Sequence, residues 1–179
     1  MAGPFLVDWP VSGRLAMMSR PAGGDALVRT LHGLRRKGVD ALICALTEGE
    51  RDLLGLAAEP EAARDAGLAY IDFPIADFSV PDLDDLAELA AKLAVRLRSG
   101  DYVVAHCRGG IGRSGMVVAA ALIALGATAE QAMELVSEAR GVPAPETEEQ
   151  RALLRRLADL LAPDQGSGAN LGSRFDPHP

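Results

Sequence analysis

Tyr102-Val103-Val104-Ala105-His106-Cys107-Arg108-Gly109-Gly110-Ile111-Gly112-Arg113-Ser114-Gly115 is the stretch that decides the fold. Tyr102 to His106 is a short run rich in β-branched residues and reads as a buried strand. Three glycines then crowd the loop, and an apolar helix opens at about Arg113 and runs to Leu125. A strand feeding a glycine-rich loop feeding a helix is half of a βα unit. In α/β sheets the sites lie where strand C-termini meet helix N-termini, and the loop after His106 lies at such a point.

Working outward, the same alternation continues in both directions. Asp82 to Arg98 carries Leu83, Leu86, Leu89, Leu93 and Leu97 on one stripe, with Pro81 suited to its opening and Gly100 to its end. Leu68 to Phe73 and Val39 to Leu46 are apolar runs that read as strands, and Gly13 to Met17 as a short early one. Asp25 to Lys37 has helical spacing at Leu27, Val28, Leu31 and Leu34, and Gly38 follows as a stop. Glu50 to Leu56 and Glu61 to Ala66 read as short helices. Thr128 to Arg140 and Thr147 to Ala162 each open on a Thr-x-x-Gln capping box. The expected architecture is α/β, a mostly parallel central sheet flanked by helices, with one domain over 1–162. From Pro163 the composition turns to Gly, Ser, Asn, Asp and Pro, and 163–179 reads as a disordered tail.

Composition bounds the partners. The chain has 179 residues, 49% hydrophobic and 24% charged, enough for one sizeable core. Its net charge of −7 argues against nucleic acid or an anionic membrane as a partner, although a local basic pocket can survive in an acidic protein. Two cysteines, Cys44 and Cys107, make no disulfide framework and fit a reducing compartment. No basic leader and no membrane-length apolar run are apparent, so the expected location is cytoplasmic. Arginine far outnumbers lysine and alanine is abundant, a composition pointing to a GC-rich bacterial genome.

The chemistry rests on the loop. A cysteine with an arginine six residues on is weak by itself, because chance alone supplies it about one time in ten in so arginine-rich a chain. The strand, the glycines and the helix start give it meaning. Glycines let successive amides converge on an anion, and the helix N-terminus adds partial positive charge at the same spot. Arg113 offers a planar fork to two phosphate oxygens. The same field favours the thiolate of Cys107 beneath a bound phosphate, a poised nucleophile.

With His106, Cys107, Arg113 and Ser114 in the order His-Cys-x5-Arg-Ser, the chain resembles the cysteine-based protein tyrosine and dual-specificity phosphatases. Upstream, Phe73-Pro74-Ile75-Ala76-Asp77-Phe78-Ser79-Val80-Pro81 resembles the general-acid loop of the compact type, similar to cyclin-dependent-kinase-associated phosphatase and its bacterial relatives. Leu46-Thr47-Glu48 looks familial too, and the likeness covers roughly Gly13 to Ala162. The resemblance implies a phosphate-monoester hydrolase acting on phosphotyrosine in proteins, with phosphoserine and phosphothreonine open. It implies Cys107 as nucleophile, Arg113 and the amides of Arg108, Gly109, Gly110, Ile111 and Gly112 as the phosphate cradle, and Asp77 as general acid. Ser114 is implied as a hydrogen-bond donor to sulfur, and His106 as a residue shaping the loop from behind. The loop itself supplies the positive charge, so no cofactor and no metal are expected. The three histidines and two cysteines show no zinc-ligand spacing.

Several residues keep a plainer reading. Asp72 competes with Asp77 as the acid, and Asp82 is a first-turn helix residue. Cys44 reads as a packed core thiol, with a reversible disulfide to Cys107 as the alternative. Gln150 reads as the third residue of a capping box, with a water-positioning role as the alternative. His32, on an arginine-rich helix, faces solvent. Two other activities remain: a rhodanese-like sulfurtransferase, and a phosphate-binding module without turnover.

Overall fold

The structure, a computed structural model, describes residues 4–162; the expected tail, 163–179, and His178 within it lie outside the described residues. Five strands form one sheet: β1 (Phe5–Val7), β2 (Arg14–Ser19), β3 (Ala41–Cys44), β4 (Ala69–Asp72) and β5 (Tyr102–Cys107). The order across the sheet is β1-β2-β5-β3-β4. Four strands run parallel, and β1 pairs antiparallel with β2, Phe5 opposite Met17. Three residues ahead of Asp8-Trp9-Pro10 show no usable period, so β1 was not legible in the sequence; it forms because β2 offers an edge.

The strand–loop–helix unit at the centre behaves as its sequence dictates. β5 is buried throughout and sits in the middle of the sheet. It leads into α5 (Gly112–Ala124), whose residues Gly112 to Ile123 are all buried. A helix apolar all round must be covered on every side. Here α4 (Leu83–Arg98), α6 (Ala129–Arg140), α7 (Glu148–Leu161) and β5 surround it. The α4 stripe of Leu86, Leu89, Leu93 and Leu97 faces that core as expected.

Strand alternation divides the interior in two. Ala41, Ile43, Val103, Ala105 and Cys107 pack on the α4–α7 side. Leu42, Cys44, Tyr102 and Val104 pack on the other, against α1 (Leu27–Arg36) and α3 (Glu59–Asp65). Because the side-chain period of a strand is two, neighbours in sequence face opposite layers. Cys44 and Cys107 therefore lie on opposite faces of the sheet, which removes the disulfide alternative.

Helix starts match the capping chemistry. Thr128 and Thr147 accept from Gln131 N–H and Gln150 N–H in full capping boxes. A third box, Thr47 with Glu50, opens α2 (Glu48–Leu53), two residues earlier than its apolar pattern suggested. Asp82 is the cap of α4, accepting from Asp84 N–H, rather than a first-turn residue.

Candidate active site

Cys107 is the last residue of β5, and the loop folds back so that the Gly110 amide faces the sulfur. Gly110 N–H donates to Cys107 Sγ at 3.3 Å, and the Ser114 hydroxyl shares a hydrogen bond with the same sulfur at 3.3 Å. The thiol is 3% exposed, so sulfur is nearly enclosed by these donors and by the start of α5. Gly110 makes the fold-back possible. Its φ is +72°, and a Cβ there would overlap the backbone of Met18 and Ser19.

The loop carbonyls are held from outside. Arg140, at the end of α6, donates to Gly110 O at 2.9 Å and to Gly109 O at 3.4 Å, while its guanidinium rests 4.4 Å from the Phe5 ring centroid. Pinning the carbonyls outward turns the opposite N–H groups inward. Sequence reasoning missed Arg140, because nothing in a helix-ending arginine announces a loop thirty residues away.

Arg113, buried in the first turn of α5, is locked by three groups. Glu50 forms a two-point fork with it, at 2.7 and 2.9 Å. The Ile75 carbonyl accepts at 2.9 Å, and Asp77 Oδ1 lies 3.0 Å from the other terminal nitrogen. Partial burial opposes charge on Glu50, but hydrogen bonds from Arg113 and from the Thr47 amide outweigh it and hold the carboxyl down at about 2. Burial likewise opposes charge on Arg113, and Glu50 and the Cys107 sulfur outweigh it, so its pKa is raised. Glu50 too escaped the sequence reading. The Thr47-x-x-Glu50 spacing was there to find as a cap, but a cap does not reveal a second partner 63 residues away.

Asp77 sits at the tip of a turn closed by Ser79 N–H to Ala76 O at 3.0 Å. The turn puts Phe78 in the left-handed region, φ +58°, a conformation that costs a side-chain-bearing residue about 1–2 kcal/mol. Asp77 and the Phe78 ring are both exposed. Gln150, buried at the start of α7, donates from its amide nitrogen to Ser79 O at 3.2 Å, and its oxygen accepts from the Glu146 and Thr147 amides. It is therefore both a cap and a tether for this turn. Asp72, the competing acid, is paired with Arg51 instead.

The expected residues Cys107, Arg113, Asp77, Ser114 and the loop 108–112 thus converge. His106 does not join them. Its imidazole is fully buried on the opposite sheet face, 3.0 Å from Glu59 Oε1. Burial opposes its charge, but contacts with Cys44 and Glu59 outweigh it and push its pKa up to about 10. His32 is exposed, as expected.

The chain is similar to known proteins in sequence and fold. Residues 16–127 match the family described as polymorphic toxin system, DSP-PTPase phosphatase. Human cyclin-dependent kinase inhibitor 3 is 30% identical over 143 residues, covering 79% of this chain and 65% of that protein. The mouse protein tyrosine phosphatase domain-containing protein 1 is 30% identical over 137 residues, 76% of this chain but 18% of the relative. The chain thus spans less than two thirds of the length of these relatives. Among solved structures, kinase associated phosphatase superposes with a TM-score of 0.81 at 23% identity, over 89% of this chain and 95% of that one. Tk-PTP in its active form gives 0.69 at 30% identity, over 85% and 99%. With more than half its length, residues 16–127, matched by the family, the chain belongs to the DSP-PTPase phosphatases.

Proposed function

We propose that this chain hydrolyses phosphate monoesters on proteins, phosphotyrosine first, through a cysteinyl-phosphate intermediate. The observation that carries the reading is Cys107 Sγ held by Gly110 N–H and Ser114 Oγ at the mouth of α5, with Arg113 locked one turn away. The phosphate's equatorial oxygens take the loop amides of Arg108 to Gly112 and the edge of the Arg113 guanidinium that Glu50 does not occupy, where Asp77 now sits, donors that also meet the charge of the transition state. Cys107 sulfur attacks phosphorus; the bond to the leaving oxygen breaks, and Asp77 protonates that oxygen. In the second step water attacks the cysteinyl-phosphate, Asp77 takes its proton, and inorganic phosphate leaves. Ser114 supports the departing sulfur by its hydrogen bond. His106 acts from behind the sheet, as a positioning residue for the strand end that carries Cys107.

Asp77 and an incoming phosphate compete for the same Arg113 nitrogen. Binding of the dianion frees the carboxyl to swing toward the leaving group. The exposed Phe78 ring beside it suits an aryl phosphate, which favours phosphotyrosine over phosphoserine and phosphothreonine. The net charge of −7 favours a protein substrate over nucleic acid or an anionic membrane. No helix among the described residues is long and apolar enough to cross a membrane. Residues 1–162 as one catalytic unit in a bacterial cytoplasm complete the proposal.

Hydrolysis of p-nitrophenyl phosphate and of a phosphotyrosyl peptide tests it, without added metal. Cys107→Ser abolishes turnover, and Asp77→Asn slows it about 10²- to 10⁴-fold. The wild-type rate follows a bell-shaped pH profile, one arm requiring an ionised nucleophile and the other a protonated acid. Full activity in Cys107→Ser, or sulfur transfer from thiosulfate without phosphatase activity, overturns the proposal.

A further inference from the structure

Behind the loop, on the sheet face that the proposed reaction does not use, three metal-ligating side chains meet in the protein interior. Cys44 ends β3, His106 is its register partner on β5, and Glu59 opens α3. All three are wholly buried, and their ligand atoms lie within 4.8 Å of one another. Both oxygens of Glu59 and both ring nitrogens of His106 lack a well-formed hydrogen bond among the described residues, although Glu59 Oε1 approaches His106 Nε2 to 3.0 Å as an ion pair. A buried carboxylate and imidazole without well-formed hydrogen bonds are costly, on the order of several kcal/mol for a poorly compensated buried charge.

We propose that Cys44, Glu59 and His106 form a buried zinc site. The donor set suits a borderline metal: thiolate and imidazole favour zinc over magnesium or calcium. In tetrahedral coordination these ligands stand about 3.3–3.7 Å from one another, so shifts of under about 1 Å close the observed triangle on an ion. The three side chains supply three of the four tetrahedral donors, one atom each, and a water enclosed with the ion supplies the fourth. One thiolate and one carboxylate against Zn²⁺ leave the cluster neutral, and the Arg51–Asp72 ion pair beside it is neutral as well. Loading displaces the Cys44 thiol proton and any proton on His106. The ion would join β3, β5 and α3 directly beneath Cys107 while remaining separated from substrate by the sheet. Sequence spacing gave no sign of it, since the ligands come from three elements separated by 15 and 47 positions.

This inference does not rest on the phosphatase reading. The test is to refold the full chain with Co²⁺, remove free ion, and record metal content and the thiolate-to-cobalt charge-transfer absorption. Wild type retains about one Co²⁺ per chain with that band. Cys107→Ser keeps both. Cys44→Ser loses the band, and both Cys44→Ser and the isosteric Glu59→Gln retain at least about tenfold less metal. Thermal unfolding of each metal-free variant checks that it folds, and Glu59→Gln carries the test where Cys44→Ser does not fold. Wild type holding less than about a tenth of an equivalent, or a band that persists in Cys44→Ser and vanishes in Cys107→Ser, overturns the proposal.

Discussion

Glu50→Gln isolates one interaction. Gln retains the capping box, because glutamine serves as well as glutamate three residues after Thr47. What it loses is the charge on the fork with Arg113. The Glu50 carboxyl falls from 4.5 to about 2 in the folded chain. At about 1.4 kcal/mol per unit this sets a ceiling of about 3 kcal/mol, and solvent screening of a side chain 17% exposed brings it to about 2 kcal/mol. A depressed carboxyl pKa contributes stability that is fully present above the unfolded value, 4.5, and is lost as pH falls through about 2. Urea unfolding of wild type and Glu50→Gln therefore separates the two by about 2 kcal/mol near neutrality, and the gap closes toward about pH 2. In turnover, Arg113 keeps the Ile75 carbonyl and Asp77 but loses its strongest anchor, so kcat/KM for a phosphotyrosyl peptide falls about 10- to 100-fold. A gap independent of pH, or kcat/KM within twofold of wild type, refutes the reasoning.

Gly110→Ala forces a methyl group into the backbone of Met18 and Ser19, so phosphatase activity drops by more than about 100-fold, read against circular dichroism for the fold. Arg140→Ala releases the carbonyls of Gly109 and Gly110; inorganic phosphate then inhibits about tenfold more weakly, while thermal stability falls by a smaller margin. Gln150→Ala cuts the tether to Ser79 and half of a capping box, costing about 1 kcal/mol of stability and lowering kcat more than it raises KM. Equal losses of kcat and stability in Thr147→Ala, which removes the cap but not the tether, count against the tether.

Local signals carried most of the architecture. The leucine stripe of α4, the capping boxes at Thr128 and Thr147 and the glycine-bounded strands are written in short windows, because helix and strand periods and cap chemistry act over a few residues. The Cys107–Ser114 segment was legible for the same reason: it is contiguous, and its fold-back brings Ser114 Oγ to 3.3 Å from Cys107 Sγ. Asp77 was singled out by the resemblance of its loop to a known one, and the structure places it 3.0 Å from Arg113. Boundaries moved by one to three residues, and β1 was lost because three residues carry no period.

What only the tertiary structure decided are the partners drawn from other elements. Arg113 is aimed by Glu50 from α2 and by Ile75 O from the loop that carries Asp77, and the 108–112 loop is braced by Arg140 from α6. The two-residue alternation of strands sends Cys107 to one face and His106 to the other, where Cys44 and Glu59 meet it. Each of these contacts spans from fifteen to more than sixty positions. The chain order determined which chemical groups exist and how each short segment bends; burial across the sheet determined which of them touch, since packing energy depends on layers and register that no local window contains.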